Sequence, residues 1–310
     1  MNRFRSILRR VPRVPHRLYW EIRFSVIPIL WVAWLWWLNK YGRSPITAAK
    51  GPVVSLTTHG KRMQTVYLTI ESIARGYTLP SRLILWLDDR ALYDNLPATI
   101  QRQVHRGLEV RFCKNYGPHT KYYPYLESEE TFFVPLVTAD DDMLYPRYWL
   151  NGLANAFQKH PDVVNCFWAL VIQLGGTGII KFSQWKICDS TKPSVRHHAL
   201  GFSGVIYPPA FLSILKKAGT SFEDCCPKAD DIWLHVQALR AGYKIRQIRR
   251  RALRLPSIPG TQGIALWNEN RQGRNDLQVT ATYTNEDVRI LMASRRHHDR
   301  REMKNLLKKA

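Results

Sequence analysis

Residues 131–146 read Thr131-Phe-Phe-Val-Pro-Leu-Val-Thr-Ala-Asp-Asp-Asp-Met-Leu-Tyr-Pro146, an apolar run that ends in three carboxylates and a proline. The first half, Thr131 to Thr138, has the β-branched and aromatic content of a buried strand. Pro146 suits the opening of a helix, which the spacing predicts to end near Lys159. Asp140, Asp141 and Asp142 therefore stand at the carboxyl end of a strand. Adjacent carboxylates repel one another, so the triplet is costly unless solvent or a cation neutralises it, and hard oxygen ligands select Mg²⁺ or Mn²⁺. Such an ion, held by one or two carboxylates, completes its shell with water and substrate phosphates. The triplet alone equally suits a solvated acidic turn that caps the following helix.

Outward from this stretch the pattern alternates. Val53-Val-Ser-Leu-Thr57 reads as a buried strand, Met63 to Ala74 as a helix and Arg82 to Asp88 as the next strand. Pro97 to Arg106 reads as a helix with proline at its start, followed by a strand from Leu108 to Phe112. Strands and helices in this order predict an α/β fold with a mostly parallel, doubly wound sheet flanked by helices. Ligands of such sheets bind beyond the carboxyl ends of the strands. There is no internal repeat or low-complexity tract.

The 310 residues are 45% hydrophobic, enough for a sizeable core, which excludes a wholly disordered basic protein. Only 17 Gly and an odd 5 Cys exclude collagen-like and disulfide-scaffold chains and fit a reducing compartment. The adjacent Cys225 and Cys226 read as reduced, since vicinal cysteines do not easily form a structural disulfide. The net charge of +22 is concentrated in residues 1–23, 240–254 and 289–310, and the rest of the chain is nearly neutral. Basic patches of this kind suit nucleic-acid phosphates or an anionic membrane surface.

Residues 24–38 carry no charge and include Trp31, Trp34, Trp36 and Trp37. As a helix they would measure about 22 Å, short of the ~30 Å hydrocarbon core of a bilayer. Indole rings prefer the headgroup boundary, so the segment reads first as an interfacial amphipathic anchor and second as a membrane span. If it spans, the arginine excess before it places the N-terminus in the cytoplasm. No small-residue site follows the run, which argues against a cleavable signal peptide.

The order of motifs over residues 51–250 resembles the GT-A nucleotide-sugar glycosyltransferases, in particular bacterial family 2-like polysaccharide enzymes, with similarity to β-1,3-glycosyltransferases. Residues 53–58 resemble their opening strand, and Asp88 and Asp89 the acids that read the nucleotide base. Asn115-Tyr-Gly-Pro-His-Thr-Lys121 looks like the loop that brings a basic residue to the nucleotide, and Thr138 to Pro146 like the Asp-x-Asp signature. Gly201-Phe-Ser-Gly-Val-Ile-Tyr-Pro208 resembles the segment lining the acceptor, and Lys228-Ala-Asp-Asp-Ile-Trp-Leu234 the acidic pair that supplies the base. A Glu-Asp pair is commoner there than Ala-Asp-Asp, so either Asp230 or Asp231 suits the role, with Asp231 favoured; the pair also suits a helix N-cap.

The resemblance implies a metal-dependent, inverting hexosyltransferase that uses Mn²⁺ or Mg²⁺ and a nucleotide diphosphate sugar, UDP-linked in the first instance. It implies metal ligation by Asp142 and Asp140, and nucleotide-sugar contacts from Thr57, Thr58, Arg62, Asp88, Asp89, Lys121, Asp140 and Asp141. Asp231 and Asp230 would be catalytic, and Gly201, Ser203, Gly204 and Trp233 would bind the acceptor, a glycan or lipid-linked molecule. The chain then divides into a basic segment and apolar anchor (1–50), a catalytic domain (donor half 51–145, acceptor half 146–255) and a C-terminal extension with a basic tail (256–310). The enzyme would work at the cytoplasmic face of an anionic membrane in polysaccharide or glycolipid synthesis.

Two other classes compete. One is a non-enzymatic basic α/β protein that binds membrane or nucleic acid, although no helix-turn-helix, zinc or RNA-binding signature is present. The other is a metal-dependent phosphodiesterase, although the histidine-rich ligand sets usual there are missing. His297-His298, within a basic run, reads as solvated tail. Gly175-Gly-Thr-Gly178 reads as a turn, Tyr122, Tyr123 and Tyr125 as core, and Asn275-Asp276 receives no role.

Overall fold

The computed structural model describes residues 27–176, 178–261 and 273–294. The basic segment 1–23 and the His297-His298 pair lie outside the described residues, as does the 262–272 stretch. Ten strands form two sheets. The larger contains β1 (Val53–Thr57), β2 (Arg82–Leu87), β3 (Leu108–Phe112), β4 (Leu136–Thr138), β5 (Val164–Cys166), β9 (Val205–Tyr207) and β10 (Ile245–Gln247). Its order is β10-β5-β9-β4-β1-β2-β3. The smaller sheet joins β6 (Ala169–Val171), β7 (Lys186–Ile187) and β8 (His197–Ala199), all antiparallel.

The helices among the described residues include α1 (Ile27–Tyr41), α2 (Val66–Ala74), α3 (Arg90–Asp94), α4 (Ala98–Val104), α5 (Tyr123–Ser128), α6 (Trp149–Lys159), α7 (Pro209–Ala218), α8 (Phe222–Cys225), α9 (Asp230–Arg240) and α10 (Asn275–Thr282). The large sheet divides them into two layers, because strand side chains alternate between its faces. Val53, Ile84, Trp86, Leu136, Val205 and Tyr207 join one apolar core with side chains from α5, α7, α8 and α9. Val54, Leu56, Leu83, Leu85, Val137 and Ile206 point the other way and meet α1, α2, α4 and α6. A sheet covered on both faces needs continuous apolar strands, which is why Arg82-Leu-Ile-Leu-Trp-Leu87 reads as it does.

The parallel pairings are β1 with β2, β1 with β4, β2 with β3 and β5 with β10. β9 runs antiparallel between β4 and β5, which departs from a uniformly wound sheet. Between β5 and β9 the chain runs through the smaller sheet with no α-helix among the described residues, so it lacks the crossover that a parallel neighbour requires. From β1 the chain builds outward through β2 and β3, then returns to lay β4 on the other side of β1. In doubly wound sheets the crevice that receives ligands lies outside such a reversal point, which here falls at the carboxyl ends of β1 and β4.

Several boundaries differ from the sequence reading. The strand expected over Thr131 to Thr138 is confined to Leu136–Thr138. Pro135 has no N–H to donate, and Phe133 is 87% exposed, so the first half of the run stays outside the ladder. The helix expected from Met63 begins as a 3₁₀ turn, Gly60–Gln64, before Val66. Trp149, not Pro146, opens α6, and Trp149 N–H donates to the Pro146 carbonyl (2.8 Å). The five cysteines are free thiols.

Pro256 and Ile258 are hydrogen-bonded to the acidic loop. Leu144 N–H donates to Pro256 O (2.9 Å) and Ile258 N–H donates to Asp142 O (2.7 Å). Further on, α10 packs on α9, and Arg240 pairs with Asp287 (2.8 Å). Gly175 N–H donates to Gly178 O across the glycine turn, and Phe182 N–H donates to Asp276, which fixes that loop against the start of α10.

Candidate functional site

Five carboxylates gather where the crevice opens. Asp140, Asp141 and Asp142 follow β4, while Asp230 and Asp231 are the first residues of α9. Two cationic side chains hold them in place. Arg62, from the 3₁₀ turn after β1, reaches Asp141 Oδ1 at 2.9 Å and Asp142 Oδ2 at 3.2 Å. Lys121 Nζ lies 2.9 Å from Asp140 Oδ1 and 3.2 Å from Asp230 Oδ2. Among the described contacts, four of the five carboxylates pair with these two cations.

Burial sets the titration of these groups. Asp142 is pushed up to about 6 by its burial and by Asp140, with Arg62 opposing. Asp231 is pushed up to about 8, again by burial first and then by Asp230, with Lys121 opposing. Burial alone would depress Lys121, but Asp140, Asp230 and Asp231 together reverse this and hold its ammonium well above the usual lysine range. Asp231 has no cation of its own. Both its oxygens accept from the Gly201 N–H, at 3.0 and 3.2 Å. A Cβ on Gly201 would stand 3.0 Å from Asp231 Oδ1 and 3.5 Å from Lys121 Nζ, which is why this position carries no side chain.

The loop bearing Lys121 is fixed from beneath. His119 is buried, and its ring stacks on Phe222 with centroids 3.9 Å apart. Its Nε2–H donates to the Cys226 carbonyl (2.8 Å), and Nδ1 accepts from the Tyr122 hydroxyl (2.9 Å). A carbonyl can only accept, which assigns this tautomer. Burial holds the imidazole neutral, down to about 3. Because Cys226 lies four residues before Asp230, His119 locks the lysine loop to the start of α9.

The triplet is braced in the same way. Thr69 Oγ1 donates to the carbonyls of Asp141 and Met143, both at 2.9 Å. Tyr145, fully buried, accepts from Asp140 N–H (2.9 Å) and donates to Phe202 O (3.1 Å). Thr69, His119 and Tyr145 were not singled out as site residues. Tyr145, three residues after the triplet, and His119, inside the Asn115–Lys121 loop, lay within motifs the sequence singled out; Thr69 did not.

The structure brings Arg62, Lys121, Asp140, Asp141, Asp142, Gly201, Asp230 and Asp231 into one constellation. Other expected residues are used differently. Thr58 is buried and donates to Asp141 Oδ2 at 2.6 Å. Thr57 donates to Trp86 O (3.1 Å). Asp88 ends β2 half-buried, while Asp89 is the N-cap of α3 and accepts from Leu92 N–H. Ser203, Gly204 and Trp233, expected at the acceptor, are packed inside the fold. Ser203 is buried, with its carbonyl accepting from Trp149 Nε1 (2.8 Å); a Cβ on Gly204 would strike the same indole at 2.4 Å; and Trp233 is buried against Phe222. Tyr122, Tyr123 and Tyr125 are core residues.

Among the described residues, no cluster of three or more His, Cys, Asp and Glu encloses a metal position. The donor set still suits a hard divalent cation. Asp140 and Asp142 offer two carboxylates, the number such an ion takes when substrate phosphates and water complete its shell.

No family model and no curated protein matches the chain. Among solved structures, the mannosyltransferase PcManGT from Pyrobaculum calidifontis, in complex with GDP-Man and Mn²⁺, is similar at 14% identity, over 88% of this chain and 79% of that one, with a TM-score of 0.48. The inositol-1-phosphate CTP transferase from T. maritima is similar at 10% identity, over 72% of this chain and 95% of that one, with a TM-score of 0.44. GalNAc-T7 with UDP, GalNAc and Mn²⁺ is similar at 13% identity over 63% of this chain, which spans 41% of that protein, with a TM-score of 0.44.

Proposed function

We propose that the chain is a metal-dependent glycosyltransferase of the GT-A type that moves a hexose from a nucleotide diphosphate sugar to a glycan or lipid-linked acceptor, with inversion. The observation that carries this reading is the position of Lys121, whose ammonium joins Asp140 of the triplet to Asp230 at the start of α9. A donor-phosphate site and a proton-accepting site must lie side by side in group transfer, and these two motifs do.

Asp140 and Asp142 would hold Mn²⁺ or Mg²⁺. When bound, the ion supplies Lewis-acid stabilisation of a departing diphosphate. Lys121 and Arg62 add positive charge beside the same oxygens. Asp231 suits the base better than Asp230, because Asp230 is neutralised by Lys121 whereas Asp231 meets only a backbone N–H. A carboxylate raised toward neutral pH is a competent proton acceptor near pH 7–8. In the transfer, Asp231 takes the acceptor hydroxyl proton as that oxygen bonds to the anomeric carbon. The bond from that carbon to the phosphate oxygen breaks, and its electron pair leaves with the diphosphate. The UDP preference, and a role in polysaccharide or glycolipid synthesis on the cytoplasmic face of a membrane, are parts of the same proposal.

The test is incubation of the folded protein and Mn²⁺ with labelled UDP- and GDP-sugars and polyprenyl-phosphate or glycan acceptors. Label retained on an acceptor supports transfer. Label released only to water would point to a hydrolase, and no turnover of any donor would contradict the proposal.

A further inference from the structure

Helix α1 is apolar on both faces, and the domain covers only one. Pro28, Leu35, Leu38 and Asn39 are buried, and Trp31 and Val32 pack on the core beside α2 and α4. At 100° per residue these six share one side. The other side exposes Ile29, Leu30, Trp34, Trp36, Trp37 and Tyr41, with Leu30 at 67% and Trp37 at 53%. The one charge on this side, Lys40, lies at the end of the helix with Nζ 5.2 Å from the ring centres of both Trp36 and Tyr41.

The inner face is tied down by polar bonds as well. Asn39 Nδ2 donates to Glu71 Oε1 (3.3 Å) and Thr99 O (3.0 Å), and Arg102 donates to Asn39 Oδ1 (3.2 Å). A helix bound to the domain in this way cannot also stand upright in a bilayer. Its 15 residues measure about 22 Å, and among the described residues no helix is long and apolar enough to cross a membrane.

We infer that the outer face of α1 is a docking surface for the anionic interface of a phospholipid bilayer, with the helix lying in the plane and the domain resting above it. An exposed run of large apolar groups marks an interaction surface. Indole and phenol rings bury an apolar body while the N–H or O–H stays wet, which is the environment of the headgroup layer. Charge complementarity selects lipid over a second copy of this chain. Lys40 and exposed Arg43 flank one end, and residues 1–23, which precede the helix, hold seven Arg against one Glu. Two copies meeting through this face would bring those like charges together, whereas anionic headgroups attract them. The surface is independent of the transfer chemistry proposed above.

The test is flotation of the full chain with vesicles of phosphatidylcholine alone or mixed with phosphatidylglycerol, with tryptophan quenching by lipids brominated at defined depths. The expected result is binding to the mixed vesicles, weakened by salt, with strongest quenching near the headgroups and release by alkaline carbonate. Leu30→Ser/Trp34→Ser/Trp37→Ser, all exposed positions, should weaken partitioning about tenfold or more with an unchanged circular dichroism spectrum. Lys40→Glu/Arg43→Glu should reduce the preference for anionic vesicles at least severalfold. Absence of binding to either vesicle, undiminished binding by the triple variant, carbonate-resistant insertion with quenching at the bilayer centre, or a solution dimer that buries these tryptophans would each overturn the inference.

Discussion

Asp140 and Asp230, ninety positions apart in the sequence, are bound to one ammonium group, that of Lys121, at 2.9 and 3.2 Å. Lys121→Met leaves these carboxylates facing each other without compensation. The side chains are mostly but not fully buried, so the expected loss is about 1–3 kcal/mol, below the ~3–5 kcal/mol of a fully buried broken pair. The defect should shrink as pH falls and the carboxylates protonate. Urea midpoints at pH 5 and pH 8 measure this, and equal midpoints for variant and wild type at pH 8 would contradict it.

Asp231 separates activity from stability. Its carboxyl titrates near 8 in the folded protein and near 4 when unfolded, so the folded state binds the extra proton between those values. Its stabilising contribution is full below about pH 4 and is lost as pH rises through 8. Asp231→Asn removes that loss, so the variant should melt higher than wild type above pH 8, by about 2–4 °C for each kcal/mol relieved. Its turnover should be abolished while nucleotide binding persists. Wild-type turnover would remove Asp231 from the role of base.

Gly201→Ala places a methyl 3.0 Å from Asp231 Oδ1. The change is local to one carboxylate, so the melting temperature should hardly move. Turnover should fall by roughly tenfold to a hundredfold, as misplacement of a reacting group by up to 1 Å costs. Calorimetry and initial rates on the same preparation read both quantities.

Glu71 is fully buried and accepts from Arg106 Nη1 at 2.6 Å, from Gln103 at 3.0 Å and from Asn39 at 3.3 Å. Glu71→Ala strands the Arg106 guanidinium and loosens α1, at an expected cost of about 3–5 kcal/mol. A denaturant midpoint within experimental error of wild type would show the network to be dispensable.

His198 is fully buried among Phe182, Trp185 and His235, and neither ring nitrogen has a hydrogen-bond partner. Burial holds it well below the usual histidine range, so it stays neutral. Leaving a buried polar group unpaired costs about 1–3 kcal/mol. His198→Phe, similar in shape, should therefore raise stability by about 1 kcal/mol, and a lower melting temperature would contradict this.

The sequence was most legible where a pattern is local. Short apolar runs and proline placement located β1 to β3 and the helices α2 and α4, and the short buried run Leu136–Thr138 sufficed to set the acidic triplet at a strand end. The antiparallel course of β9 was hidden, because a strand's direction depends on its neighbours and not on its composition. The packing of Ser203 and Gly204 was hidden for a related reason: a glycine-containing apolar segment looks the same whether it lines a cleft or lies under one. His119, Thr69 and Ile258 escaped notice because each acts through a partner distant in sequence. Neither Cys226 nor the carbonyl of Asp142 advertises such a contact in the linear chain.

The most direct measurement is calorimetric titration of UDP and of GDP into the protein, with Mn²⁺ and with chelator, repeated on Asp142→Ala. The account predicts micromolar binding of one nucleotide diphosphate that requires both the metal and Asp142. Binding that survives chelation and the Asp142→Ala change, or no binding by a folded sample under any of these conditions, would contradict a metal-dependent nucleotide-sugar site at the carboxylates.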